Sequence, residues 1–342
     1  MRALIAFLGW FALAGLNDVP PVNGALIADE GYPQRLSEFR FFLDDYAQTP
    51  NARVHSYALN TPLFSDYAAK QRWVYVPEGQ QALYNDDGTF DFPVGSAFIK
   101  SFGYPADFRD PDGEIRLIET RVLLRREEGW VALPYVWNED GSDAVLRRAG
   151  RRMPVSWIDE AGETQQVSYR VPNQNQCKSC HQMNGEIELI GPNARNLNNG
   201  TRLAQWVDWS ILDRAPENAP RVPVWDDPAD GTLDERARAY LDVNCAHCHR
   251  RESGASNSGL FLTYDEDDPV ARGIRKRPVA AGRGSGGFDF SIAPGRPGES
   301  ILLHRMISSD PGVQMPELGR EIIHREGVAL IRAYIAAMEP QG

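Results

Sequence analysis

Four cysteines, each pair followed directly by a histidine, are the residues with the clearest chemistry. They form CKSCH (177–181) and CAHCH (245–249), and C-x-x-C-H is the pattern of covalent c-type haem attachment. Each thiol adds to one vinyl group of a porphyrin, and the adjacent His is held against the iron as its proximal ligand. The sequence therefore predicts two covalently bound haem c groups. The residues expected to hold them are Cys177, Cys180, His181, Cys245, Cys248 and His249.

A structural zinc site is the alternative for the same four thiols. Zinc ribbons usually separate their two C-x-x-C pairs by about 15–20 residues, and here the pairs lie much further apart. Neither a zinc ribbon nor a thioredoxin-like redox pair needs a His after each second cysteine. Since the chain has 4 cysteines in all, none is left for a disulfide or a catalytic thiol.

A methionine in a Pro-constrained loop is the expected sixth ligand of the second iron. Met315 begins the stretch MPELG (315–319), which follows the second motif where class I cytochromes c place their thioether ligand. Met–His ligation raises the iron potential and suits electron transfer. Met306 is the rival, although it lies in an apolar run without the loop context.

Several residues of the sequence are candidates for the sixth ligand of the first iron. Met153, on a predicted strand before the motif, is our prediction, with His55 and Lys100 as alternatives. A lysine has to lose its proton before it can bind iron. Met183 follows His181 too closely to reach the other face of a porphyrin.

Length and charge limit the class of protein. A chain of 342 residues favours two domains after a leader: signal peptide and linker (1–24), β-rich domain (25–214), linker (215–231) and cytochrome-like domain (232–342). The net charge of −11 argues against nucleic acid as a partner and favours a basic or dipolar redox protein.

The N-terminus predicts export. Met1 and Arg2 precede the apolar run 3–16, with Ala12-Leu13-Ala14 as a cleavage triplet, as in a secretory signal peptide. The run is too short for a comfortable membrane span, so we expect membrane attachment only if the leader stays uncleaved. Export places the mature protein in the periplasm, where haem is joined to C-x-x-C-H motifs.

Periodicity predicts an α+β fold. Residues 92–172 alternate as short strands with hairpin turns such as Glu128-Gly129, which indicates an antiparallel β domain carrying the first haem. Helical spacing predicts helices at 36–47, 203–212, 234–243 and 326–338; the last two belong to an all-α, class I cytochrome c-like domain carrying the second haem. Asp66, Lys70 and Arg72 are interpreted as a solvated ion-pair cluster, with a functional pocket as the alternative.

The chain resembles a family of bacterial dihaem c-type cytochromes of unassigned function. The likeness lies in NTPLFSDYA, FPVGS with Lys100, LIETR, GWVALPYVWN, NQCKSCH, IGPNARNLN, YLDVNCAHCH and MPELGR, and it covers nearly the whole mature chain. It implies haem at both motifs and Met315 as an axial ligand. The β region is also similar, at fewer positions, to cytochrome P460, where a strand motif with a lysine precedes a C-terminal haem motif. This chain departs from that pattern by adding a second haem motif.

Two functions fit these residues. The first is a periplasmic electron-transfer protein in which electrons enter at one haem and leave at the other. The second is a haem enzyme, peroxidase-like or acting on a small nitrogen compound, whose first haem has an open coordination position and whose second haem supplies or removes electrons. A non-catalytic subunit of a larger oxidoreductase is a further alternative.

Overall fold

The structure is a computed structural model that describes residues 19–110 and 112–340. The predicted signal peptide lies almost entirely outside the described residues. Within the described ranges, none of the helices has both the length and the apolar character needed to cross a membrane.

A six-stranded antiparallel sheet organises the first half of the chain, in the strand order β3-β4-β5-β6-β7-β8. The antiparallel β region predicted at 92–172 is therefore confirmed. Two shorter pairs precede and follow the sheet, and the hairpin of β9 and β10 packs beside it. The strands are β1 (Phe42–Asp44), β2 (Thr49–Pro50), β3 (Val54–Ser56), β4 (Ala69–Tyr75), β5 (Ala97–Pro105), β6 (Ile115–Arg126), β7 (Gly129–Trp137), β8 (Ala144–Leu146), β9 (Arg151–Ile158), β10 (Thr164–Val171), β11 (Gln182–Met183) and β12 (Glu186–Ile187).

The two faces of the sheet bury different cores, because successive strand residues point to opposite sides. On β5, Ala97 and Ile99 join the core that packs against the N-terminal segment. Phe98 points to the other face and packs against the helices around the first motif. Phe102 lies on that second face too, in the cluster formed with the β9–β10 hairpin. Lys100 therefore lies between two apolar clusters.

Seven α-helices lie in the part of the chain that the structure describes, and most of them are short. They are α1 (Gly24–Ala28), α2 (Gln174–His181), α3 (Ala194–Leu197), α4 (Arg202–Asp208), α5 (Leu233–Leu241), α6 (Ile301–Ile307) and α7 (Arg325–Ala336). The helices expected at 234–243 and 326–338 are confirmed as α5 and α7. The helix expected at 203–212 is shorter, because Ser210 takes a left-handed φ of 57° and the chain turns back.

The helix predicted at 36–47 is wrong. Leu36–Phe39 forms one 3-10 turn, which ends at Arg40 in the left-handed conformation with φ 56°. Phe41 and Phe42 are then buried in succession, and Phe42 begins β1. Since the apolar residues after the turn are buried on both sides of an extended segment, helical spacing in the sequence was coincidental.

The C-terminal region has a core of its own. Ala237, Tyr240 and Leu241 of α5 pack with Ile331 and Ile335 of α7, so the two helices cross. The segment 215–231, predicted as a linker, contains no regular helix or strand. It is nevertheless held to the β region, where the Asn60 Nδ2 donates to the carbonyl oxygen of Val222 at 3.0 Å and the Thr61 hydroxyl donates to that of Pro223 at 2.7 Å.

Candidate cofactor-binding site

The first motif forms the C-terminal part of helix α2. Asn173 caps the helix by accepting a hydrogen bond from the Gln176 backbone N–H at 2.8 Å, and the Gln176 side chain accepts one from the Asn173 N–H at 3.0 Å. This reciprocal capping fixes where the helix begins. Cys177 then faces the core beneath the helix, and burial raises the pKa of its thiol to about 11.

His181, the last residue of α2, is held by a hydrogen bond of its imidazole. Its Nδ1 lies 2.6 Å from the carbonyl oxygen of Glu188. A carbonyl can only accept, so Nδ1 carries the proton and Nε2 keeps its lone pair. Burial lowers the pKa of His181 to about 4, while the Glu188 carbonyl opposes that shift. A neutral ring with a fixed tautomer is the form that ligates a metal.

The second motif follows helix α5 through a π-helical turn at Asp242–Ala246. Thr232 and Glu235 form a capping box at the start of α5. His249 lies beyond the turn, where its Nδ1 is 3.4 Å from the Ser258 hydroxyl. Burial lowers the pKa of His249 to about 4, so this ring is also neutral near pH 7.

The two motifs meet each other. The Cys180 and Cys248 side chains lie close enough to interact, and this interaction lowers the pKa of Cys180 and raises that of Cys248. All four cysteines are free. The C-terminal ends of the two motifs therefore lie next to each other in the fold. The sequence did not predict this contact.

One cavity is lined by residues of both motifs. Cys177, Cys180 and His181 line it from the first motif, and Cys245 and His247 from the second. Cys248 and His249 are not among its lining residues.

Both candidate methionines of the C-terminal region reach this cavity. Met306 lines it from helix α6, and Met315 lines it from the loop after that helix. The loop is tied to α6, because the Met315 N–H donates to the Arg305 carbonyl at 3.0 Å. The buried Arg320 guanidinium donates to the carbonyls of Met315 at 3.1 Å and Ser308 at 2.9 Å. Sequence reasoning missed this role of Arg320, although it ends the MPELGR stretch.

The four residues considered as sixth ligand of the first iron lie in different parts of the fold. Met153, our predicted ligand, lies on β9 and packs against the cluster around Trp157; it is not among the residues that line the cavity. His55 stacks on Trp209 at 4.4 Å and does not line the cavity either. The Met183 sulfur accepts from the Arg250 side chain at 3.3 Å. Lys100 lines the cavity, so it is the only one of these four residues that does.

A loop of the β region closes over the C-terminal region. One carboxylate oxygen of Asp66 accepts hydrogen bonds from the backbone N–H groups of Glu321 at 2.8 Å and Ile322 at 3.0 Å. Phe64 stacks on His324 at 4.0 Å. Asp66 is 4% exposed and Arg72 is 8% exposed, so the interpretation of these residues as a solvated ion-pair cluster was wrong.

The donor set and the cavity fit haem better than a zinc ion. Each motif offers two thiols and a following His, the His181 ring keeps the lone pair of Nε2, and the cavity that residues of both motifs line has a mostly apolar wall. In residues 19–110 and 112–340, no group of three or more His, Cys, Asp or Glu side chains lies close enough together to hold a metal ion directly. Comparison of the chain with family models, with curated proteins and with solved structures finds no match.

Proposed function

We propose that this protein is a dihaem c-type cytochrome that transfers electrons between redox partners. The observation that carries the proposal is the cavity lined by residues of both C-x-x-C-H motifs, with the Cys180 and Cys248 side chains close enough to shift each other's pKa. Haem groups joined to these thiols would lie beside each other, so that an electron entering at one could leave through the other. The resemblance to dihaem cytochromes supports the same conclusion.

The residues of the chain would have separate tasks. The thiols would tether each group, and the Glu188 carbonyl, by engaging Nδ1, leaves Nε2 of His181 available as a ligand. Met315 or Met306 would supply a thioether for the second group. When bound, haem iron accepts and releases one electron, and its potential follows from the axial ligands and from burial. The apolar cavity wall limits solvent access and thereby contributes to that potential.

Location and partners follow from the leader and the charge. We propose that the mature protein works in the periplasm, where haem is joined to such motifs. Its formal net charge of −11 suits a basic or dipolar redox protein, because opposite charges speed encounter. The same charge disfavours binding to nucleic acid.

Haem content and attachment test the proposal directly. Protein purified from the periplasm should contain two haem groups per chain by pyridine haemochrome assay, and both should resist extraction into acidic organic solvent. Cys177→Ser with Cys180→Ser should leave one. Ser179→Ala, inside the same motif, is the matched control and should keep both. Stoichiometric zinc, or extractable haem, would contradict the proposal.

A haem enzyme is the second candidate, and one observation favours it. Neither Met153 nor His55 lines the cavity next to the first motif, so an iron held there would lack a thioether or imidazole ligand from these two residues. An iron with an open position binds small molecules. Rapid stoichiometric binding of carbon monoxide at one haem of the reduced protein would support this function, with peroxide or a small nitrogen compound as substrate. Absence of binding at both haems favours the electron-transfer protein.

A further inference from the structure

Three cations stand in one row across the central sheet. Arg72 on β4 is paired in register with Lys100 on β5, and Lys100 is paired with Arg121 on β6. Directly paired residues point to the same side of a sheet. All three line the cavity, between the apolar cluster around Phe98 and the one around Phe102.

The row carries more positive charge than its neighbours neutralise. Arg121 forms an ion pair with the fully buried Glu119, whose carboxylate also accepts the Tyr169 hydroxyl at 2.6 Å. Lys100 lies 4.9 Å from the centre of the Phe102 ring, a contact with an aromatic face and not with an acid. Among the residues that the structure describes, neither Arg72 nor Lys100 forms an ion pair with a carboxylate, although the charge of Glu119 opposes the lowering of the Lys100 pKa.

Arg72 is the sharpest case. It is 8% exposed, and within residues 19–110 and 112–340 its Nη2 atom has no hydrogen-bond partner. A guanidinium stays charged at any ordinary pH, and burying a charge without a partner is strongly unfavourable. Burial, together with the neighbouring Arg72 charge, lowers the pKa of Lys100 well below its usual range. These costs fall when a negative group lies against the row.

We propose that Arg72, Lys100 and Arg121 form an anion-binding site in this cavity, which takes a carboxylate or a small oxyanion. Guanidinium groups bind such planar anions through two parallel N–H bonds, and the lysine between them supplies a further donor. The site is a binding function in addition to electron transfer, and its cations are present whatever else the cavity holds.

Two sources could supply the anion. One is a propionate group of the first haem, and the other is a small anion from solution. Arg121 is close enough to Cys177 to lower the pKa of that thiol. Porphyrin propionates lie on the edge opposite the vinyl groups, and the vinyl groups are the ones that the cysteines bind. This part of the row is thus nearer the attachment edge, which favours the anion from solution.

Calorimetric titration of the full-length purified protein with sodium nitrite and with sodium formate tests the site. We expect saturable binding of at least one anion, with an affinity at least tenfold weaker in Arg72→Gln. Arg151→Gln removes an exposed arginine of β9 and should bind like the wild type. Calorimetry measures anion binding whatever the haem content. A failure of the anion-site proposal can therefore be distinguished from a failure of the proposed function.

The propionate source gives a different pattern. Wild type would then bind neither anion, and Arg72→Gln would lower the midpoint potential of one haem while Arg151→Gln left both potentials unchanged. If no anion binds and Arg72→Gln also leaves both potentials unchanged, the site does not exist. An anion that binds the wild type and Arg72→Gln equally well would also overturn it.

Folding of the variants needs its own check. Arg72→Gln removes a cation without an acidic partner, so its Tm in anion-free buffer should equal or exceed that of the wild type. Arg121→Gln leaves Glu119 buried without its cation, so its Tm should be lower. If Arg72→Gln fails to fold, Arg72→Lys keeps the charge but loses the fork of donors. Unaltered anion binding and potentials in that variant would then count against the site.

Discussion

Replacing Arg320 by Lys should destabilise the loop that carries Met315. Arg320 is 4% exposed and donates to the carbonyls of Met315 at 3.1 Å, Arg305 at 3.2 Å and Ser308 at 2.9 Å. A lysine ammonium can replace one of these bonds from the same position, because it is a point donor without the planar fork. Two of the three hydrogen bonds are then lost.

The magnitude follows from the hydrogen bonds lost. A hydrogen bond from a charged donor contributes about 1.5–3 kcal/mol. Water that enters the loop would replace part of the two lost bonds, so we expect a loss of about 2–4 kcal/mol in the free energy of unfolding. Urea denaturation followed by circular dichroism measures this loss. Arg332→Lys changes an exposed arginine on α7 and serves as the control.

The Arg320→Lys variant also tests whether Met315 is a ligand of the second iron. If Met315 binds the second iron, loosening its loop should weaken the Met-to-iron charge-transfer band near ~695 nm, which is characteristic of Met–His ligation. A change in unfolding free energy below about 0.5 kcal/mol, the range of ordinary surface substitutions, would refute the role assigned to Arg320.

Three further predictions, which use four substitutions, test other parts of the molecule. Met315→Ala should abolish the Met-to-iron band and lower the potential of the second haem, whereas Met306→Ala should retain the band; the reverse pattern in absorption spectra would make Met306 the ligand. Met153→Ala should leave the electron paramagnetic resonance spectrum of both irons unchanged, because this side chain does not line the cavity; a change from low to high spin would restore it as a ligand. Burial, followed by the charges of Asp143 and Asp44, raises the pKa of Asp45 to about 6, so the folded protein binds more protons than the unfolded chain between about pH 4 and 6 and loses stability as pH rises through that window. Asp45→Asn should therefore be more stable than wild type at pH 7, by about 1 kcal/mol after allowance for its partial exposure, and equal to it near pH 4; parallel Tm-against-pH curves would contradict this.

Local patterns accounted for the elements that have local causes. The alternating strands of 92–172, and the helices α5 and α7, follow from periodicity within one segment. The two C-x-x-C-H motifs are local as well, because the spacing of the thiols is set by the group that they are predicted to bind. The failure at 36–47 has a local cause too, since one residue, Arg40, turns left-handed and ends the helical turn.

The cavity could not be predicted in this way, because its walls come from residues far apart in the chain. Arg72, Lys100 and Arg121 are neighbours only through the register of three strands, and the sequence does not fix which residues face each other across strands. Met153 shows the converse. It precedes the first motif closely in sequence, but it packs against the cluster around Trp157 and does not line the cavity.

The contact between the β region and the C-terminal region is the feature that is hardest to predict from the sequence. Asp66 and Tyr67 both have left-handed backbone conformations, with φ of 50° and 60°, which are unfavourable for residues other than glycine and are kept only where contacts hold them. Those contacts lie on the C-terminal region: the backbone of Glu321 for Asp66 and the carboxylate of Glu326 for Tyr67, at 2.7 Å. The loop that contains Asp66 and Tyr67 keeps these unfavourable conformations through its contacts with the C-terminal region. These contacts help to hold the second motif in place relative to the first. A fixed placement would suit the proposed transfer of electrons between two haem groups, because the rate of transfer depends on the distance between them.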